Sequence, residues 1–170
     1  MRFGSLFLCV FVCLAAVSAS RDLAAAELVG FQARDFQPGT IVIKNSERRL
    51  YLVLGRGQAI RYKIAVGKNG KSWTGPAFIT GKYVRPDWSP SEEVQRDHPN
   101  LPKLIKGGAA NNPMGVAAMT LSNGNYAIHG TNRPNSIGRA ASYGCIRMAN
   151  ADISDLFQRV GLRTPVVALP

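Results

Sequence analysis

Residues 129–148 read HGTNRPNSIGRAASYGCIRM. The apolar, β-prone run Tyr126, Ala127, Ile128 leads into the histidine, and a second such run starts at Cys145 with Ile146, Arg147 and Met148. The pattern predicts two short strands joined by a long loop. A loop of that length is uncommon inside a compact domain unless it gates or lines a site. The stretch therefore predicts both a local fold and the place of the chemistry.

Working outward, 115–121 and 125–128 are strand-like and are joined by Ser122, Asn123 and Gly124, where Asn-Gly is a strong hairpin turn. That hairpin delivers His129 to a strand end. On the other side Asn150 is the expected N-cap of a helix, because Ile153, Leu156, Phe157 and Val160 recur at helical spacing before Gly161. Residues 164–169 close as a last strand, with Pro165 at its start or edge.

Further upstream, 41–43, 50–54 and 59–66 are strand-like, separated by the turn residues Asn45 to Glu47 and Gly55 to Gly57. In the third run Ile60, Tyr62, Ile64 and Val66 alternate with Arg61 and Lys63, which predicts one buried and one wet face. Residues 77–80 form another expected strand. Between 82 and 113 the pattern breaks down: five prolines, Gly107-Gly108 and Asn111-Asn112 predict an irregular excursion, with one helical turn over 91–96 capped by Ser91. Placed just before a candidate site, such a segment reads as a lid or substrate wall, a tolerated surface insertion being the alternative. The fold class expected is mainly β, a mixed β-sandwich or barrel with one amphipathic helix near the C-terminus.

With 170 residues, 46% of them hydrophobic, the chain can bury one sizeable core. The expected organisation is a signal peptide over 1–19, a linker or first strand over 20–39, and one domain over 40–170. Arg2, the apolar stretch 6–17 and the small residues Val17, Ser18 and Ala19 carry the signal-peptide reading, with 24–26 as a second cleavage position. The apolar run is short for a spanning helix, so no stable membrane insertion is expected after cleavage. The protein is accordingly expected to be exported, to the periplasm.

Cleavage would remove Cys9, Cys13 and Arg2, leaving one thiol and taking the net charge from +11 to +10. A solitary cysteine in an oxidising compartment implies intermolecular pairing or a reactive thiol. The basic balance implies an anionic neighbour, cell-wall polymer or membrane surface before nucleic acid; no helix-turn-helix, zinc-finger or RNA-binding signature is present, so no nucleic-acid partner is expected.

A thiolate is the reactive form of cysteine, and His129 is one of only two histidines available to take the proton of Cys145. Its second ring nitrogen needs an acceptor, and with no carboxylate between 129 and 148 the nearest candidate is the backbone carbonyl of Gly130. Ser142, Tyr143 and Gly144 precede the cysteine; the glycine lets the backbone bend so that N–H groups of Gly144 and Cys145, with Tyr143, converge on an oxyanion. Arg147 lies two residues past the cysteine on the same strand face, placed for a substrate carboxylate or as an ordinary surface charge. His98 with His129 and Cys145 lacks any short metal-ligand spacing, so neither metal nor cofactor is expected. Trp73 and Trp88 read as core or lid packing, or as a stacking surface for sugar.

The string IHGTNRPNSIGRAASYGCIRMANAD resembles the signature of the L,D-transpeptidase catalytic domain (YkuD) family, a histidine in His-Gly-Thr followed, after a spacer, by Ser-His-Gly-Cys-Ile-Arg. Gly67, the Thr74-Gly75 turn with Phe78, Pro86-Asp87-Trp88 and Asn112-Pro113-Met114-Gly115 resemble further segments of that domain, so the likeness runs from about residue 40 to the C-terminus. It implies a peptidoglycan enzyme in which Cys145 attacks a tetrapeptide stem at the diaminopimelate carbonyl and releases D-alanine. The thioester then passes to an amine, giving a 3–3 cross-link or attaching an envelope protein. His129 would be the base, the carbonyl of residue 130 its orienting acceptor, and Arg147 a carboxylate contact. The family usually has histidine where this chain has Tyr143, which bears on acceptor choice and rate. A hydrolase (L,D-carboxypeptidase) using the same acyl-enzyme, and a non-catalytic wall-binding protein, are the competing readings.

Overall fold

In the computed structural model, residues 26–32 and 35–170 are described; the expected signal peptide lies outside them. Ten strands and two short helices follow in the order β1 (Glu27–Gly30), β2 (Ile41–Lys44), β3 (Arg49–Gly55), β4 (Gln58–Gly67), β5 (Gly75–Val84), α1 (Glu92–Asp97), β6 (Ala117–Leu121), β7 (Ala127–His129), β8 (Ala140–Ser142), β9 (Ile146–Met148), α2 (Asn150–Arg159) and β10 (Pro165–Leu169). The hydrogen-bonded path β4-β3-β2-β10-β5-β6-β7-β9 returns to β4, so the mainly β fold closes on itself as a barrel. Closure removes most open sheet edges.

The ten-residue β4 makes that closure possible by changing partners along its length. Its first half pairs with β1 and β3, and its second half with β9 at Ile64 and Ala65 and with β8 at Val66 and Gly67. Tyr62, Ile64 and Val66 point into the main core with Ile41, Ile43, Leu50, Met119 and Ile128. The face expected to be wet is covered in part, because Phe31 and Phe36 pack over Val42, Tyr51, Val53 and Ala59 to make a second, smaller cluster. Residues 26–32, within the expected linker, thus belong to the sheet through β1 and to this outer cluster through Phe31.

Helix α2 packs on β6 and buries Ile153 and Leu156. Its N-cap is Ala149 rather than Asn150, which is the first helical residue; the Asn150 Oδ1 instead accepts from the Thr131 N–H at 3.0 Å. At the other end Lys82 Nζ donates to the carbonyls of Phe157 and Val160, both at 2.6 Å, satisfying groups the helix leaves free and placing a cation where its dipole favours one. Strand β5 runs on to Val84, so the irregular excursion starts at Arg85, later than the sequence pattern predicts. Inside it, α1 is capped by Ser91, whose Oγ accepts from the Val94 N–H at 3.4 Å. Among the described residues no helix is long and apolar enough to cross a membrane.

Candidate active site

Strands β7 and β9 run parallel and adjacent, with Ile128 opposite Ile146 and His129 opposite Arg147. Ile128 and Ile146 face the core. Side chains alternate along a strand, so Ala127 and His129 on β7 share the opposite face with Arg147 on β9, and Cys145, one residue before β9, continues that face. His129 and Cys145, sixteen positions apart in sequence, therefore lie on neighbouring strands two residues out of register, on the same face. No hydrogen bond joins sulfur and imidazole among the described residues.

The ring of His129 is buried, and its Nδ1 lies 2.7 Å from the Gly130 carbonyl oxygen. A carbonyl only accepts, so Nδ1 carries the proton and Nε2 keeps its lone pair. Burial pushes the imidazole pKa down to about 4; hydrogen bonding to the backbone of Gly130 and Pro113 opposes the shift, and the Arg147 charge adds to it. Burial likewise pushes the Cys145 thiol up, against a backbone hydrogen bond from Ala127 and the Arg147 charge. Both groups are neutral at rest near pH 7.

The backbone before Cys145 is held from several sides. Gly144 has φ of +117°, a conformation L side chains rarely adopt, and a Cβ there would run into the Tyr126 ring. Ser142 Oγ donates to the Cys145 carbonyl at 2.6 Å and accepts from the Gly144 N–H at 3.0 Å. The Gly144 N–H, expected to face an oxyanion, is thus already engaged in this arrangement, whereas those of Tyr143 and Cys145 have no partner among the described residues. Trp73 Nε1 donates to the Gly144 carbonyl at 3.2 Å, and its ring stacks on Tyr126 at 6.0 Å between centroids.

Trp73 is therefore a support of the cysteine loop, beyond the packing role the sequence predicts. Its only local signal was an aromatic in a turn. Asn150 and Thr131 likewise tie α2 to the loop after His129, and nothing in their neighbours announces it. Tyr143 turns outward, its hydroxyl donating to Asp97 Oδ2 of α1 at 2.7 Å. Arg147 is half-buried, and burial together with the nearby Arg133 pushes its guanidinium pKa down. Neither arginine has a carboxylate partner among the described residues.

The profile of the L,D-transpeptidase catalytic domain family matches residues 38–167. The probable L,D-transpeptidase YbiS of Escherichia coli (strain K12) is 36% identical over 135 residues, which are 74% of this chain and 43% of that protein. The chain thus spans less than half the length of that relative. Among solved structures, an L,D-transpeptidase from Mycobacterium smegmatis superposes with a TM-score of 0.61 at 14% identity, over 77% of this chain and 58% of that one. The L,D-transpeptidase LdtMt1 in complex with imipenem does so with a TM-score of 0.58 at 14% identity, over 76% and 58%. These two likenesses concern the fold.

Proposed function

The chain belongs to the L,D-transpeptidase catalytic domain family, and from that membership we propose that it is an exported peptidoglycan L,D-transpeptidase working through Cys145. The observation that carries the reading is the parallel β7–β9 pair, which sets Cys145 and His129 on one face with Nδ1 of the imidazole tied to the Gly130 carbonyl.

With both groups neutral at rest, His129 acts as a general base during attack rather than as half of a standing ion pair. Nε2 takes the thiol proton as Sγ bonds to the diaminopimelate carbonyl carbon of a tetrapeptide stem. The N–H groups of Tyr143 and Cys145 stabilise the oxyanion. The tetrahedral adduct collapses, the C–N bond breaks, and D-alanine leaves with the proton His129 returns to its amine. An acceptor amine, from a second stem or an envelope protein, attacks the thioester, passes a proton to His129, and the sulfur leaves to regain it. Arg147, with Arg133 beside it and no acid among the described residues to neutralise either, receives a substrate carboxylate.

Purified protein incubated with a tetrapeptide muropeptide and an amine acceptor should release D-alanine and yield the cross-linked product by mass spectrometry. Cys145→Ala should abolish the thioester. Turnover surviving that substitution would overturn the nucleophile, and D-alanine release without transfer to any amine would make the protein a hydrolase.

A further inference from the structure

Residues 85–116 leave the barrel after β5 and return into β6, and the two ends are joined where the Arg85 N–H donates to the Val116 carbonyl at 2.9 Å. Between those ends the segment is stapled mostly to itself. The Asn112 amide donates to the carbonyls of Pro86, Ile105 and Lys106, Asp87 accepts from Lys106 and the Gly107 N–H, and Gln95 donates to three carbonyls beyond α1. Helix α1 buries no side chain. The segment is thus a preformed unit that rests on the barrel without being part of its core.

It touches the candidate site at both ends of the catalytic pair. At the return end, Gly115 lies against the backbone of Gly130 and Thr131, directly after the histidine, so closely that a Cβ there would collide with both. At the α1 end, Asp97 Oδ2 takes the Tyr143 hydroxyl, two residues before the nucleophile, and the His98 ring stands edge-on to the tyrosine with centroids 6.5 Å apart. Lys68 Nζ lies 3.8 Å from the centre of the Tyr143 ring and 3.6 Å from Asp97 Oδ2, and Lys71 pairs with Glu93 at 2.5 Å. The hydrogen bond and the two ion pairs that α1 makes here are open to solvent, the kind that hold weakly one by one and let go easily.

We infer that Tyr143 and Asp97 are a positioning pair, a releasable clasp that holds α1 against the cysteine loop and so completes the wall on which the donor stem is laid. The tyrosine side chain acts through Asp97 rather than on the reacting atoms, which gives position 143 a task that needs no imidazole. Lys68 braces the clasp from the ring face and Lys71 seconds it through Glu93. The donor-binding part of this inference rests on the function proposed above; the clasp itself does not.

The test is a double-mutant cycle on the full chain with Asp97→Ala and Tyr143→Phe, read two ways. Hydrogen exchange of the α1 amides should speed up by about fivefold in each single variant, equivalent to about 1 kcal/mol, and by no more in the double variant. Asp97→Asn, whose amide oxygen still accepts from the tyrosine hydroxyl, should restore the slow exchange. In turnover, Asp97→Ala should raise KM for the tetrapeptide donor by about the same factor while kcat stays within about twofold, and Asp97→Asn should not. Unchanged α1 exchange, or effects that multiply in the double variant, overturn the clasp. Faster exchange with an unmoved KM overturns the positioning role. Exchange that behaves as expected in a protein with no activity on the donor would leave the clasp standing and sink the proposed function instead.

Discussion

His129 faces Arg147 across the parallel β7–β9 pair, so a buried imidazole has a permanent cation for its cross-strand neighbour. Burial is the larger influence and the cation adds to it, and the ring's pKa falls from 6.5 to about 4. A lowered folded-state pKa means the neutral ring is what folding favours. Stability from this group is fully present above pH 6.5 and is lost as the pH falls through about 4. Activity should follow the same group: the acidic limb of kcat/KM for a tetrapeptide donor should sit near pH 4, with no inflection near 6.5. Arg147→Gln should move that limb upward. A wild-type limb at 6.5 would mean that the ring titrates in water, contrary to its buried place.

Asp152 presents the opposite case. It lies in the first turn of α2, buried, with Oδ2 lacking a hydrogen-bond partner among the described residues, and burial with Asp155 nearby raises its pKa from 3.8 to about 6. A raised folded-state pKa means the proton is held more tightly in the fold. The stability it lends is present below 3.8 and lost as the pH rises through about 6, a swing of about 3 kcal/mol. Asp152→Asn keeps the shape without the charge. Melting curves should show little difference from wild type at pH 4 and a gain of several degrees at pH 8; a difference that does not vary with pH would rule the charge out as the cause.

The barrel strands were legible wherever β-branched and aromatic residues came in runs bounded by turn residues, as in Leu50 to Leu54 or Ala59 to Val66. Strand β8, Ala140–Ser142, was not, because two alanines and a serine have no strand preference; it forms because β4 offers Val66 and Gly67 as partners. Asn150 was misplaced for a related reason. Its residue type says N-cap, but the Thr131 N–H claims its side-chain oxygen and leaves the capping position to Ala149. The elements bearing His129 and Cys145 could be read because so few residues in the chain can do proton and thiol chemistry. The groups that hold them, Trp73 on the Gly144 carbonyl and Asn150 on the Thr131 N–H, could not, since a side chain bonding to a distant backbone group leaves no periodic trace.

Gly144 offers a direct measure of how tightly the loop is held. An alanine there must either adopt φ of +117° or move the loop, and its Cβ meets Tyr126 in any case. Gly144→Ala should cost about 1–3 kcal/mol in denaturant unfolding and slow thiol acylation well below the melting temperature. Trp73→Phe keeps an aromatic on Tyr126 but loses the bond to the Gly144 carbonyl, and should cost about 0.5–1.5 kcal/mol. A Gly144→Ala protein that unfolds and acylates like wild type would show that the loop does not depend on the glycine's backbone geometry.

Asn112 should matter more than its polar character implies. Its side chain is buried, the amide nitrogen lying 2.9 Å from the Pro86 carbonyl oxygen, 3.3 Å from that of Ile105 and 3.1 Å from that of Lys106, while Oδ1 accepts from the Met114 N–H at 2.9 Å. Alanine leaves those backbone groups without their partner, at about 1–3 kcal/mol for a buried group left unsatisfied. Aspartate is worse at neutral pH, because it removes the donors and sets a carboxylate against three carbonyl oxygens. Below the pKa of the introduced carboxyl, the protonated acid can donate again, and the two variants should converge. Urea unfolding of Asn112→Ala and Asn112→Asp at pH 7 and pH 4 tests the sequence of effects. An aspartate variant as stable as the alanine one at pH 7 would mean that water has entered and taken over the hydrogen bonds the asparagine makes.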